Sequence, residues 1–324
     1  MHTYQTMSKT QVLEDARDAY ILHKMEQTLH QTIWALTEQV RKGSFIPSAF
    51  EVDFQEVGDL EALQFQLDEM HTMRLRGKID RVDLHKTDDK VYVKIVDYKS
   101  GHKDLDFQQL YHGLQVQLVL YMDAVTEGLQ RQYPNRQVEP GAMFYYRIDD
   151  PLVRAEEVKK GTTEDAVLKA LQMKGVVNAD SQVVEALHHG LQGYSNVIPV
   201  GVKSEGQLYQ SSSAVSAEEF RIMEDYVQML MRQTGQKIME GQIDCVPFQM
   251  GQQSGCTYCD YHGVCGFDAR MNGYEVRRLT EGGSRQEIIE QMTMDLAKYH
   301  GRSQTEAGGE TQDARVDQST ATGH

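Results

Sequence analysis

Cysteine is scarce: there are four in 324 residues, and none precedes residue 245. That excludes a disulfide-stapled secreted scaffold and makes a reducing, cytoplasmic compartment the expectation. Long apolar runs are missing too. Nothing approaches the roughly 18 residues that would read as a membrane span, and mean hydropathy is −0.54, so no membrane partner is expected. The first 30 residues mix charged and polar side chains without an apolar stretch, so no secretory leader is expected. No G-x-x-x-x-G-K-[ST] occurs, which leaves no P-loop for nucleotide phosphates. Set against these absences, 40% hydrophobic and 25% charged residues are ordinary for a globular chain able to bury a sizeable core.

Positive charge is also in short supply. Lys and Arg number 33 against 48 Asp and Glu, a net charge of −15. A chain this acidic is repelled by nucleic acid unless a local patch or a metal ion reverses the field. One such patch exists. From Arg74 to Lys103 there are nine basic and five acidic residues, a local net of +4.

Periodicity supplies the elements. Val12, Ala16, Ala19, Leu22, Met25, Leu29, Ile33, Leu36 and Val40 recur every three or four residues, which predicts an amphipathic helix over 10–42. Gly43 and Pro47 end it. Phe50, Val52 and Phe54 alternate with Glu51 and Asp53, the pattern of a half-buried strand. Strands are expected over 73–84 and 90–98, joined as a hairpin by the turn residues Thr87, Asp88 and Asp89. A helix over 107–129, a strand over 142–148 and a short strand over 196–202 follow. Ser216 with Glu219 is a capping box opening a helix to about Met239. Residues 301–324, rich in Gly, Ser, Thr and Gln, read as a disordered tail.

The hairpin carries the chemistry. GKIDRVD at 77–83 is followed by IVDYK at 95–99. Asp97 and Lys99 lie two apart on one strand and leave the same face. Asp80, on the neighbouring strand, can reach that face. Two carboxylates and an ammonium then meet at one sheet edge. Such hard oxygen ligands suit Mg²⁺, which keeps several waters and takes one or two carboxylates from the protein. It can bridge a phosphodiester and acidify a water. The bland alternative is a solvated hairpin, since D-x-K between apolar residues is common. Context favours the site: Ile95 and Val96 put the acid at the end of a core strand. Gln117 and Tyr121, at i and i+4, share a face of the next helix and offer an amide and a phenol. Otherwise they are a surface amide and a core aromatic.

Cys256, Cys259 and Cys265 form a C-x₂-C-x₅-C array, with Cys245 eleven residues before it. Clustered thiols in such a compartment imply a metal centre more often than a disulfide. Zinc is one candidate, with His262 making a Cys₃His set arithmetically available. Iron–sulfur is the other and takes four thiolates for a [4Fe–4S] cluster.

These residues carry a resemblance. Asp80, Asp97-x-Lys99 and Gln117-x-x-x-Tyr121 look like the signature of the RecB-like group of PD-(D/E)XK nucleases. GKIDRVD, IVDYKS at 95–100 and YHGLQVQ at 111–117 resemble the nuclease domain of the AddB-like subunits of bacterial AddAB helicase–nucleases. The likeness continues through FYY at 144–146, MKG at 173–175 and VIPV at 197–200 to the cysteine loop, about residues 10–280 in all. It implies an α/β, restriction-endonuclease-like mixed sheet flanked by helices, with a helical insertion and a C-terminal cysteine loop. The expected blocks are a core over 1–150, an insertion over 151–244, the iron–sulfur loop over 245–280, a helix over 281–300 and the tail. The resemblance further implies Mg²⁺ (or Mn²⁺) on Asp80 and Asp97, Lys99 as charge-stabilising partner, and Gln117 and Tyr121 lining a DNA site. It also implies an AddA-type heterodimer partner and a [4Fe–4S] cluster on Cys256, Cys259 and Cys265.

The pattern is departed from in three ways. The family's fourth cluster ligand lies upstream of the core, and here either Cys245 serves or the chain lacks it; the family pattern favours the second. The family's metal-binding G-x-x-x-H histidine has no match, because neither His23 nor His30 follows a glycine four residues earlier. No helicase-like region is present, so the chain is expected to be the C-terminal portion of a longer protein. The function expected is a DNA exonuclease domain acting in recombinational repair of double-strand breaks. The alternative is a non-catalytic DNA-binding or scaffold module docking on the helicase subunit. The short RecB-like nucleases of CRISPR adaptation are a nearer rival, disfavoured by the 134 residues separating Tyr121 from Cys256.

Overall fold

The computed structural model describes residues 16–53, 64–158 and 161–313. Expected features at Val12 and Phe54 and beyond residue 313 lie outside them. The described chain forms two compact units that interleave in sequence, one drawn from 1–59, 77–105 and 125–217 and the other from 60–76, 106–124 and 218–324. Contiguous blocks were the expectation. Interleaving arises because segments returning from the first unit complete the second.

The first unit opens with helix α1 (Ala16–Arg41) and strand β1 (Ile46–Asp53). Only the C-terminal end of α1 is buried, at Thr32, Ala35 and Gln39. Leu22, Met25, Leu29 and Ile33, expected to face a core, are exposed. β1 is an edge strand with an irregular register between Pro47 and Ala49, and Glu51 takes φ 54°. Phe50 therefore turns outward at 61% exposure, against the expected alternation.

The expected strand over 73–84 is broken at 75–77. Its first part, β3 (Thr72–Arg74), pairs with β2 (Gln64–Gln66) in the second unit. Its second part is β4 (Lys78–Lys86), which pairs antiparallel with β5 (Lys90–Lys99) as the anticipated hairpin. The expected helix over 107–129 is likewise two, α2 (Phe107–Tyr111) and α3 (Gln117–Gln132). Between them Gly113 has φ 78°, a conformation costly for any side chain and open to glycine.

β6 (Gln137–Arg147) runs parallel to β5. Helices α4 (Ala155–Val158) and α5 (Thr163–Ala170), strand β7 (Lys174–Asn178) and helix α6 (Ser181–Leu187) follow. A Cβ on Gly175 would lie 2.0 Å from the Met143 carbonyl oxygen, so β7 can pair with β6 only through a glycine there. The strand expected over 196–202 reduces to β9 (Gly201–Val202), paired with β8 (Gly193–Tyr194). Upstream of it the Ser195 hydroxyl accepts from the N–H groups of Val197 and Ile198, which bends the chain out of a ladder. With β10 (Ala214–Val215) the main sheet has the order β1-β4-β5-β6-β7-β10, mixed in direction as expected.

β5 is the central strand. Val91, Tyr92, Val93, Ile95 and Val96 are all fully buried, the mark of a strand covered on both faces. Tyr92 and Val96 join Ala35, Phe45, Phe144, Tyr146 and Val177 in one cluster. By the two-residue period of a strand, Val93, Ile95, Asp97 and Lys99 occupy the opposite face.

In the second unit, α7 (Ala217–Met239) begins one residue after the predicted cap. The cysteine segment is a small sheet of β11 (Phe248–Met250), β12 (Gln253–Ser254) and β13 (Arg277–Arg278), with a helical turn α8 (His262–Cys265). The last helix, α9 (Arg285–Asp313), extends past residue 301, where a disordered tail was expected; no proline interrupts it. It is tied to α2 by the Tyr111 hydroxyl, which donates to Asp295 Oδ2 at 2.8 Å. The Tyr226 hydroxyl of α7 donates to the Tyr111 carbonyl at 3.0 Å, and the two rings stack. Among the described residues no helix is long and apolar enough to cross a membrane.

Candidate active site

The β4–β5 ladder pairs Arg81 with Val96, and one further step sets Asp80 opposite Asp97. Directly opposed residues of an antiparallel pair share a face. Asp80 Oδ2 accepts the Tyr98 backbone N–H at 2.7 Å, so this carboxylate is pinned to the neighbouring strand. Asp97 is only 2% exposed, at the end of the buried run of β5. Lys99 Nζ lies 2.5 Å from Asp97 Oδ2. Burial pushes the Asp97 carboxyl above its ordinary value; Lys99 opposes this and the charge on Asp80 adds to it. The three residues singled out from sequence thus meet at one end of the central strand.

Neighbouring strands shape this end. Tyr145 on β6 stands beside Asp97 in the parallel ladder. The ammonium groups of Lys99 and Lys103 lie 5.6 and 5.9 Å from its ring centroid, within cation–π range. The other face of the hairpin holds a buried ionic triad that the sequence pattern did not single out. Arg81 donates from Nε and NH2 to both oxygens of Asp83 at 2.6 Å, and Lys94 Nζ lies 2.7 Å from Asp83 Oδ2. Burial pulls the Lys94 ammonium below its ordinary value, against the attraction of Asp83. The signal was available: Asp83 and Lys94 are direct ladder partners across the predicted turn.

The donor set fits a small hard cation. Two opposed carboxylates, one of them buried and raised, repel each other without a cation, and Mg²⁺ or Mn²⁺ accepts that ligand type. Among the described residues no third His, Cys, Asp or Glu gathers with them. His23 instead pairs with Gln27 on the exposed part of α1. In the second unit, Gln117 Nε2 donates to the Tyr121 hydroxyl at 2.8 Å, so the expected i,i+4 pair exists.

The cysteine segment lies wholly in the second unit. Cys245, Cys259 and Cys265 are exposed and Cys256 is partly buried. An open hollow of about 810 Å³ lies against Cys256, Cys259 and His262. The structure departs from the expectation that set Cys245 aside: its Sγ is 3.5 Å from Cys265 Sγ. Spacing along the chain could not show this, because the approach is made by the fold of β11 and α8.

A mixed sheet carrying D…D-x-K at the end of its central strand is the frame of a PD-(D/E)XK nuclease. The model of the PD-(D/E)XK nuclease superfamily matches residues 3–266, and the chain belongs to that family. Among curated proteins it is similar to the B-type subunit of the ATP-dependent helicase/deoxyribonuclease of Lachnoclostridium phytofermentans, 37% identical over 278 residues. That alignment covers 83% of this chain and 23% of the relative. The same-named protein of Alkaliphilus oremlandii is 32% identical over 270 residues, 83% of this chain and 24% of the relative. That of Acetivibrio thermocellus is 35% identical over 249 residues, 76% and 22%. The chain thus spans about a quarter of the length of the relatives it matches.

Proposed function

We propose that this chain is the nuclease domain of a two-subunit helicase–nuclease and hydrolyses DNA phosphodiesters with Mg²⁺ or Mn²⁺ held by Asp80 and Asp97. The observation carrying this is the convergence of Asp80, Asp97 and Lys99 at the end of β5. Bound there, the cation supplies Lewis-acid stabilisation of the phosphate and a more acidic water. The protein's own groups do the rest. Asp80, fixed by the Tyr98 N–H, and Asp97, fixed by its buried strand, give ligands that need no reorganisation. Lys99, aligned by Asp97 and the Tyr145 ring, neutralises charge building on the phosphate or orients the attacking water. Gln117 and Tyr121 line the path of the strand in this reading. The acidic chain meets DNA through its basic 74–103 segment.

The relatives' name supplies the wider setting: an exonuclease acting in recombinational repair of double-strand breaks, with an AddA-type partner subunit and a cytoplasmic location. A [4Fe–4S] cluster on the cysteine loop belongs to the same reading, with zinc as the alternative. The four thiols fit such a group in donor chemistry.

Cleavage of single- and double-stranded DNA with Mg²⁺ tests the proposal. Asp97→Ala and Lys99→Ala should each lower the rate by about 100-fold or more. Activity untouched by both changes places the reaction elsewhere. DNA binding without cleavage in the unaltered chain favours the scaffold alternative.

A further inference from the structure

We propose that Cys245 is the fourth thiolate of a metal centre completed within the cysteine loop, together with Cys256, Cys259 and Cys265. This rests on the cluster reading above and departs from the pattern of the family it resembles, in which the fourth ligand lies upstream of the nuclease core.

Four observations support it. The first is proximity: Cys245 Sγ and Cys265 Sγ approach to 3.5 Å across twenty residues of sequence. That is too long for a disulfide, at about 2.05 Å. It is close to the separation of two thiolates sharing one metal at ~2.3 Å each.

The second is anchoring on both sides. Cys245 sits two residues before Pro247, whose carbonyl accepts the Arg277 N–H at 3.0 Å as the small sheet begins. Cys265 closes α8, with its N–H on the Tyr261 carbonyl at 2.8 Å, and Gly266 at φ 67° turns the chain away. The approach is therefore set by backbone pairing rather than by two free side chains.

The third is the local field. The Cys245 thiol is pushed up by its hydrogen bond to Cys265 first, and further by the charges of Cys256 and Cys259. All four thiols thus lie within electrostatic reach of one another. Without a cation their thiolates repel; a thiophilic metal removes that cost.

The fourth is access. Three of the four thiols are exposed, and Cys256 and Cys259 open on the hollow, so metal and sulfide can enter. His262 lines the same hollow and is the rival fourth ligand.

The test is anaerobic reconstitution of the 324-residue chain with ferrous iron and sulfide, and separately with Zn²⁺. Metal content, visible absorption and electron paramagnetic resonance are then read. The expected result is about four irons per chain with a broad charge-transfer band. Cys245→Ala should fall to about three irons and give the paramagnetic signal of an oxidised three-iron cluster. Cys245→Ser, which keeps size and polarity, should lie between the two and serves if the alanine variant folds poorly. His262→Ala should leave the iron content unchanged.

Four irons retained by both Cys245 variants overturn the proposal. So does loss of metal in His262→Ala alone. A wild-type chain holding no more than three irons and no zinc also overturns closure within the loop, while leaving a cluster completed from elsewhere standing. Tight binding of one Zn²⁺, weakened by Cys245→Ala and with no iron uptake, keeps Cys245 as a ligand and overturns the iron–sulfur reading. Asp97→Ala should alter none of these readouts, which separates this result from failure of the nuclease reading.

Discussion

The backbone N–H of Tyr98 donates to Asp80 Oδ2 at 2.7 Å, just where the β4–β5 ladder stops. A side chain thereby replaces the next rung. Asp80 is held against the strand that carries Asp97, and the two carboxylates face each other before any cation arrives. Burial and Asp80 both push the Asp97 carboxyl up, with Lys99 opposing. A proton and a cation then compete for this pair. As pH falls through the raised value, Asp97 becomes protonated and the metal is released. The acid limb of the cleavage profile should therefore lie above the ordinary aspartate range. Raising Mg²⁺ tenfold should move it to lower pH. A limb that stays fixed while Mg²⁺ is varied would show that the titrating group is not a metal ligand.

Lys99 and Lys103 both place their ammonium groups near the Tyr145 ring. The ring, not the hydroxyl, makes that contact. Tyr145→Phe should keep the cleavage rate within about 2-fold. Tyr145→Leu removes a cation–π contact worth about 0.5–2 kcal/mol, which converts to roughly 2- to 30-fold in rate. The loss should appear in kcat more than in KM, since Lys99 acts on charge that develops in the reaction. Equal activity of the two variants would mean that the ring does not position the lysine.

The limits of reading this chain from sequence follow the same physics. Asp97 and Lys99 were legible because a strand has period two and both lie on one strand. The hairpin was legible because Thr87, Asp88 and Asp89 have turn chemistry. The breaks at 75–77 and 112–116 were not, because local propensity there is overridden by which unit each half joins. α1 was correctly a helix, yet Leu22, Met25, Leu29 and Ile33 are exposed, so periodicity marked the element and not its burial. β7 and β10 escaped notice because five and two residues leave no periodic signal. The meeting of Cys245 with Cys265 is a through-space relation that spacing does not encode.

Beneath the site, Asp83 is fully buried between Arg81 and Lys94. Removing the anion leaves two cations in the interior. Asp83→Ala should cost about 3–5 kcal/mol in chemical denaturation, more than an ordinary surface change. Replacing all three residues with apolar side chains of similar volume should recover most of it, because the desolvation penalty vanishes with the charges. A triple variant as unstable as Asp83→Ala would show that the hydrogen-bond geometry, not charge balance, holds the hairpin.

The second unit contains a buried acid with a different role. Glu224 on α7 is raised from an ordinary 4.5 to about 8, by burial first and then by Asp123 and Asp225, with Arg221 opposing. Asp123 is engaged by Gln228, whose Nε2 donates to its Oδ2 at 2.8 Å. Among the described residues Glu224 Oε1 has no hydrogen-bond partner. A neutral, protonated Glu224 is what this environment tolerates. Between pH 4.5 and about 8 the folded chain keeps a proton that the unfolded chain has released. Its stabilising contribution is complete below the lower value and is lost as pH rises through the upper one, at up to about 1.4 kcal/mol per pH unit. Glu224→Gln, which is neutral throughout, should flatten that decline and melt higher than the unaltered chain at about pH 8.5, while matching it near pH 5. Thermal melts of both proteins across this range make the comparison. Parallel curves for the two would mean that Glu224 is ionised in the fold and finds a partner there.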